Sequence, residues 1–174
     1  MSVPQLIMRK ADIVNLPPLV LAEDEQIICH KEGCGMEETW EEIIESAFGK
    51  HYNFDFLIKA GDYSPEHVLY LTVNGKPIAT TSAVASPTFE GEGWYRMVGV
   101  HADAKGRGAG KKIALAALYA LRERGYTSAM LSTDDERIPA LSLYLSLGFE
   151  PYYCHESHKE RWEKVFEKIA KVKR

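Results

Sequence analysis

Apolar residues recur along this chain at two different spacings, and the change between them divides it. In Thr39 to Phe48 (TWEEIIESAF), Trp40, Ile43, Ile44, Ala47 and Phe48 fall on one helical face, and Gly49 follows as a C-terminal stop. An amphipathic helix is predicted there. Val68 to Val73 (VLYLTV) reads as a strand, Asn74-Gly75 as a hairpin turn, and Pro77 to Ala85 as the returning strand. Glu90 to Gly93 turn the chain into Trp94 to Val100 (WYRMVGV), a third strand rich in aromatic and β-branched residues. Three strands on short turns predict an antiparallel meander.

The period then lengthens. Gly110 to Arg124 (GKKIALAALYALRER) is rich in Ala and Leu, carries Arg122 and Arg124 in its last turn, and stops at Gly125. With Tyr126 to Ser132 as the next strand, this is a right-handed βαβ crossover with parallel strands. Thr133, Asp134 and Asp135 are cap candidates for a helix that contains Pro139, Leu141, Tyr144 and Leu145 and ends at Gly148. Phe149 to Tyr153 reads as a short strand. Trp162 to Lys173 reads as a closing helix with Val165, Ile169 and Val172 on one face. The class is therefore α/β.

At 174 residues, 45% of them hydrophobic and 26% charged, the chain fits one globular domain. Its first 25 residues lack the pattern of a secretory leader, and no segment has the unbroken apolar length of a bilayer span, so a cytoplasmic protein with no membrane role is expected. Cys29, His30 and Cys34 are not followed by a second ligand pair at zinc spacing, so no metal is expected.

The net charge of −4 argues against a nucleic-acid partner. Residues 1–66 hold 13 Asp and Glu against 5 Lys and Arg, a balance of −8, which leaves +4 for the remainder. The acidic half reads either as solvated helix faces or as a wall that attracts a cationic substrate.

The crossover opens on Lys105-Gly-Arg-Gly-Ala-Gly-Lys111. A P-loop needs Gly at position 105 and Ser or Thr at 112, where two lysines stand; a dinucleotide fingerprint needs G-x-G-x-x-G, not the G-x-G-x-G of Gly106, Gly108 and Gly110. The physics of an anion cradle remains: converging amides, a helix N-terminus, and the charges of Lys105, Arg107, Lys111 and Lys112. Cations at a helix N-terminus disfavour the helix itself, so they need another purpose. A pyrophosphate suits the loop.

Lys105-Gly-Arg-Gly108-Ala-Gly110 resembles the signature of the GNAT superfamily of acyl-CoA-dependent N-acetyltransferases, with Lys in place of its leading Arg or Gln. Val100-His101 resembles the lead-in to that loop, with Ala102 for proline, and ALSLYLSLGFEP at 140–151 resembles the family's A-x-x-L-Y-x-x-L-G-F element. The segment T-D-D-x-R-x-P-A at 133–140 and the stretch from His158 to Trp162 are similar to a subset that includes the mycothiol-synthase-like proteins. The resemblance implies that residues 1–174 are a single N-acetyltransferase domain with a mixed sheet of about six or seven strands and helices on both faces. Two neighbouring strands of that sheet splay around the pantetheine arm.

Carried over residue by residue, the resemblance implies that Val98 and Val100 offer backbone hydrogen bonds to the pantetheine and acetyl groups of acetyl-CoA. Lys105, Gly106, Arg107, Gly108, Ala109, Gly110 and Lys111 would form the pyrophosphate clamp, and Arg137, where many members have Asn, would help to hold CoA. Tyr144 would protonate the departing thiolate, and the amide of Val98 would receive the oxyanion. Glu92 is the first candidate base; Glu90 or His101 through water, or a water chain alone, are the alternatives.

Direct transfer from acetyl-CoA to a small amine is expected, with a peptide amine as the second acceptor class and a monomer or homodimer as the assembly. A non-catalytic acyl-CoA-binding regulatory module is the competing reading.

Overall fold

In VLYLTV every residue but the last is buried, and the reason is that both faces of the strand are covered. Leu69 and Leu71 join one apolar core, whereas Val68 and Tyr70 join another on the opposite side. The computed structural model describes residues 3–174; Met1 and Ser2, at the head of the segment read for a leader and of the expected domain, lie outside the described residues. Its strands are β1 (Leu6–Lys10), β2 (Glu25–Cys29), β3 (Val68–Val73), β4 (Lys76–Ala85), β5 (Gly93–Val100), β6 (Ala129–Thr133) and β7 (Glu150–Tyr152). Its helices are α1 (Met36–Phe48), α2 (Asp55–Ile58), α3 (Ala109–Glu123), α4 (Ile138–Ser146) and α5 (His158–Val172).

All seven strands form one sheet in the order β2-β3-β4-β5-β6-β1-β7. Every pairing is antiparallel except β5 with β6, as the crossover through α3 requires. The core on the α3 side is built from Ile113, Ala117, Leu118 and Leu121 of α3, with Leu141 of α4 and Trp162 of α5. Trp40, Ile43 and Ile44 of α1 and Leu57 of α2 pack on the other face. Each fully buried Ile or Leu contributes about 1.5–3 kcal/mol relative to exposure. The mixed sheet with helices on both faces matches the expected architecture.

The differences have local causes. Helix α1 starts three residues before Thr39, because Gly35 adopts φ 73° and sets the chain into Met36. Strands β1 and β2 were not among the predicted elements; each is five residues long and exists through partners distant in sequence, Ile7 opposite Ser132 and Ile27 opposite Leu71. Helix α4 begins at Ile138, and no side chain caps it, so Thr133, Asp134 and Asp135 do not act as its N-cap. Helix α5 begins at His158 rather than Trp162, and Val172 is exposed rather than on the packed face. Among the described residues no helix is long and apolar enough to cross a membrane.

Helix α1 lies directly against β5. A Cβ at Gly99 would come within 2.9 Å of Ile44 Cδ1 and 3.4 Å of Ala47 Cβ, so a larger residue there would push the helix off the strand. This close contact fixes one side of the cleft described next.

Candidate active site

β5 and β6 pair only at Gly93 with Ala129 and Trp94 with Met130. Beyond Trp94 the strands part, leaving the second half of β5 without a neighbour on that side. Against β4 the register also shifts: Ser82 faces Arg96 and Thr80 faces Gly99, so Met97 and Val98 have no regular cross-strand partner. Met97 sits at φ 55°, the left-handed conformation of a β-bulge. The bulge and the parting together free backbone groups of β5 to face a ligand.

Two cavities fill the gap. One, of about 560 Å³, runs from the glycine loop to α4; the other, of about 350 Å³, lies between β5 and the end of α1. Val98, Arg137 and Tyr144 border both, so the cavities meet there.

The larger cavity gathers most of the residues read as a clamp. Val100, Lys105, Gly106, Gly108 and Ala109 line it, as do Gly110 and Lys111. Gly106 at φ 85° and Gly108 at φ 70° turn the backbone into α3, a path that side chains adopt only under strain. The first hydrogen bond of the helix runs from the Lys112 amide to the Gly108 carbonyl at 3.1 Å; the amides before it have no carbonyl a turn back to accept them. They and the helix dipole present positive potential to the cavity. Its lining and size fit a pyrophosphate on a pantetheine arm.

Two cations of this segment lie elsewhere. Arg107 borders a separate hollow of about 200 Å³ with His101 and Asp103. Lys112 donates to both carboxylate oxygens of Glu25 on β2, at 2.8 and 2.6 Å, and that bond holds Glu25 below the usual carboxylate range. The cationic contribution to the larger cavity therefore comes from Lys105, Lys111 and Arg137.

Tyr144 is only 6% exposed, yet it borders both cavities. Its ring packs on Tyr95 and Phe149, with centroids 6.3 and 6.0 Å away, so the packing role expected of a helix aromatic is also present. Burial pushes its hydroxyl up to about 12, partly opposed by the charge of Arg137. At neutral pH it is a proton donor, not a phenolate.

Glu92 stands apart. Arg9 donates to its Oε1 from Nε at 2.9 Å and from Nη2 at 2.8 Å. Glu92 precedes β5, whereas Val98 lies near the strand's far end, about 20 Å away at the usual rise per residue. It borders neither cavity. Glu90 is exposed in the same turn, and His101 Nδ1 accepts from the Asp103 amide at 3.2 Å while facing the hollow beside Arg107.

The smaller cavity was not legible beforehand. Phe48, Tyr52 and Phe56 supply an aromatic side, and Arg96 and Arg137 supply cations. Asp134 is the only carboxylate bordering it among the described residues, and it accepts from Gln5 Nε2 at 3.0 Å. Four of the five glutamates of α1 face elsewhere: Glu37 toward His30, Glu41 and Glu45 toward His51, and Glu42 toward His101. None of the acidic residues in the described part of 1–66 borders this cavity. A signal existed in the lone charge of WYRMVGV and in the four-residue spacing of Phe48, Tyr52 and Phe56.

His30, weighed earlier as part of a metal motif, is 3% exposed and bonded to Tyr70 Oη at 2.9 Å through Nδ1. Its other nitrogen lies 3.3 Å from Glu37. Both ring nitrogens already have partners.

Three comparisons bear on this geometry. Mycothiol acetyltransferase of Acidothermus cellulolyticus is 28% identical over 163 residues, covering 82% of this chain and 50% of that one. The chain thus spans about half, or less, of the length of the curated relatives it matches. Among solved structures, the GCN5-related N-acetyltransferase of Sphaerobacter thermophilus superposes with a TM-score of 0.69 at 24% identity, over 86% of this chain and 50% of that one. The NatC complex bound to Gag peptide and CoA gives 0.66 at 19% identity, over 75% and 87%. These two likenesses concern the fold. The model of the acetyltransferase (GNAT) family matches residues 36–149, and on that match the chain belongs to the GNAT family.

Proposed function

We propose that this chain transfers an acetyl group from acetyl-CoA to a primary amine by direct attack in a ternary complex. The observation that carries this reading is the meeting of two cavities at Val98, Arg137 and Tyr144, with the glycine loop and the N-terminus of α3 bordering only one of them. The loop amides, Lys105 and Lys111 hold the pyrophosphate; Val98 and Val100 guide the pantetheine arm so that the thioester reaches the junction. The amine enters from the smaller cavity. Fixing the two reactants together is worth about 7–11 kcal/mol.

A neutral amine forms the new C–N bond at the thioester carbon, and the carbonyl oxygen takes the charge. The Val98 amide, released from regular pairing by the bulge, receives it. As the C–S bond breaks, the Tyr144 hydroxyl gives its proton to the sulfur. The proton shed by the new amide nitrogen leaves through water past Asp134, and Tyr144 is reprotonated from the same water. Glu92 is paired to Arg9 away from both cavities, which supports a water route rather than Glu92 as the base.

The test is thiol release from acetyl-CoA over a panel of primary amines, with wild type and Tyr144→Phe side by side. Turnover in wild type with kcat reduced in the variant supports the reading. Binding of acetyl-CoA with no turnover on any amine would instead favour a non-catalytic acyl-CoA-binding module.

A further inference from the structure

Arg96 is the one charged residue within β5, and it borders the smaller cavity. It is half-buried, and its Nε is buried with no hydrogen-bond partner among the described residues. Its guanidinium carbon lies 5.8 Å from the Phe56 ring centroid, and no described carboxylate forms an ion pair with it. Ser82, directly across on β4, also has a buried hydroxyl oxygen without a partner. A guanidinium taken partly out of water costs free energy unless an anion or acceptor meets it. Among the described residues none does.

The chemistry around Arg96 narrows what could meet it. A guanidinium fork matches a carboxylate in two parallel hydrogen bonds. Phe48, Tyr52 and Phe56 offer an apolar, aromatic surface beside it, and the single bordering carboxylate, Asp134, is exposed and already accepts from Gln5. Along β5, Arg96 precedes Val98 by two residues, and both border the smaller cavity.

We propose that the acceptor is an amino carboxylate, a small molecule whose carboxylate is bound by Arg96, whose apolar or aromatic body rests on Phe48, Tyr52 and Phe56, and whose amine points to the thioester. The inference rests on the acetyl-transfer reading and names its substrate class. It departs from a simple cationic amine drawn by acidic residues.

The experiment titrates the protein, with and without CoA, with L-phenylalanine, L-phenylalaninamide and phenethylamine. The acid is expected to bind at least about tenfold more tightly than either neutralised or decarboxylated probe. In Arg96→Gln that preference falls to within about twofold, and Arg96→Lys restores part of it, while acetyl-CoA affinity stays at the wild-type level in both. In the thiol-release assay Arg96→Gln raises the acceptor KM and leaves the acetyl-CoA KM unchanged. Equal or weaker binding of the acid by wild type overturns the proposal whatever the variants do, and so does an unchanged preference in a folded Arg96→Gln. A protein that binds CoA but shows no carboxylate preference sinks the substrate class alone; failure to bind CoA sinks the transfer reading beneath it.

Discussion

The guanidinium carbon of Arg137 lies 3.9 Å from the centroid of the Phe48 ring, tying the entry of α4 to the end of α1 across the place where the two cavities meet. Such a contact is worth about 0.5–2 kcal/mol, depending on how dry it is. Arg137 forms no ion pair with a described carboxylate, so its charge is available to both ligands.

Arg137→Ala should therefore act on both substrates. The expected result is a rise of about fivefold to tenfold in the KM for acetyl-CoA and for the acceptor, with a melting temperature lowered only slightly. Initial rates over a two-dimensional substrate grid check it; an effect confined to one substrate would place the arginine on one side only.

Tyr144→Phe should lower kcat about a hundredfold to a thousandfold and change the KM for acetyl-CoA little, because it removes a proton donor but keeps the ring in its aromatic cluster. The pH dependence has a definite sign. The hydroxyl's folded value, pushed up to about 12 from its ordinary 10.0, favours the neutral form in the native state. Its contribution to stability is fully present below the unfolded value and is lost as pH rises from there through the folded value. Wild type should thus lose stability relative to Tyr144→Phe on raising the pH across that window, as melting curves of the two would show.

The glycine loop and its flanking lysines separate two roles. Gly108→Val forces a β-branched residue into φ 70°, which should cost about 1–3 kcal/mol of stability and weaken acetyl-CoA binding at least about tenfold. Lys112→Gln breaks the bond to Glu25 and should lower the melting temperature while leaving acetyl-CoA affinity within about twofold. Lys111→Gln should do the reverse. Calorimetry of the three variants distinguishes the clamp from its scaffold.

Which features could be read ahead of the structure follows from the range of the interactions that make them. The hairpin at Asn74-Gly75, helix α3 and the loop before it are set by neighbours in sequence, and they fall where periodicity and glycine placement predict. Strand β1 is visible only through β6 and β7, more than a hundred residues away, and β2 only through β3; five residues carry too little local preference to declare a strand. Burial and pairing likewise decided the site. Glu92 was a carboxylate near the right strand but is held at its opposite end by Arg9, whereas Arg96 drew no reading from the sequence, because its lack of a partner among the described residues exists only in the fold. Lys112 and Lys111 are adjacent in sequence and face different surroundings.

The most direct measurement is isothermal titration of the protein with acetyl-CoA, desulfo-CoA and ATP in parallel. Micromolar binding of both CoA compounds, with ATP far weaker, is the predicted result, because the larger cavity extends from the loop to the junction at Val98 and Tyr144, a length that a pantetheine arm would fill and ATP would not. No binding of either CoA compound, or ATP binding as tight as theirs, would contradict the assignment of this cleft to an acyl-CoA donor.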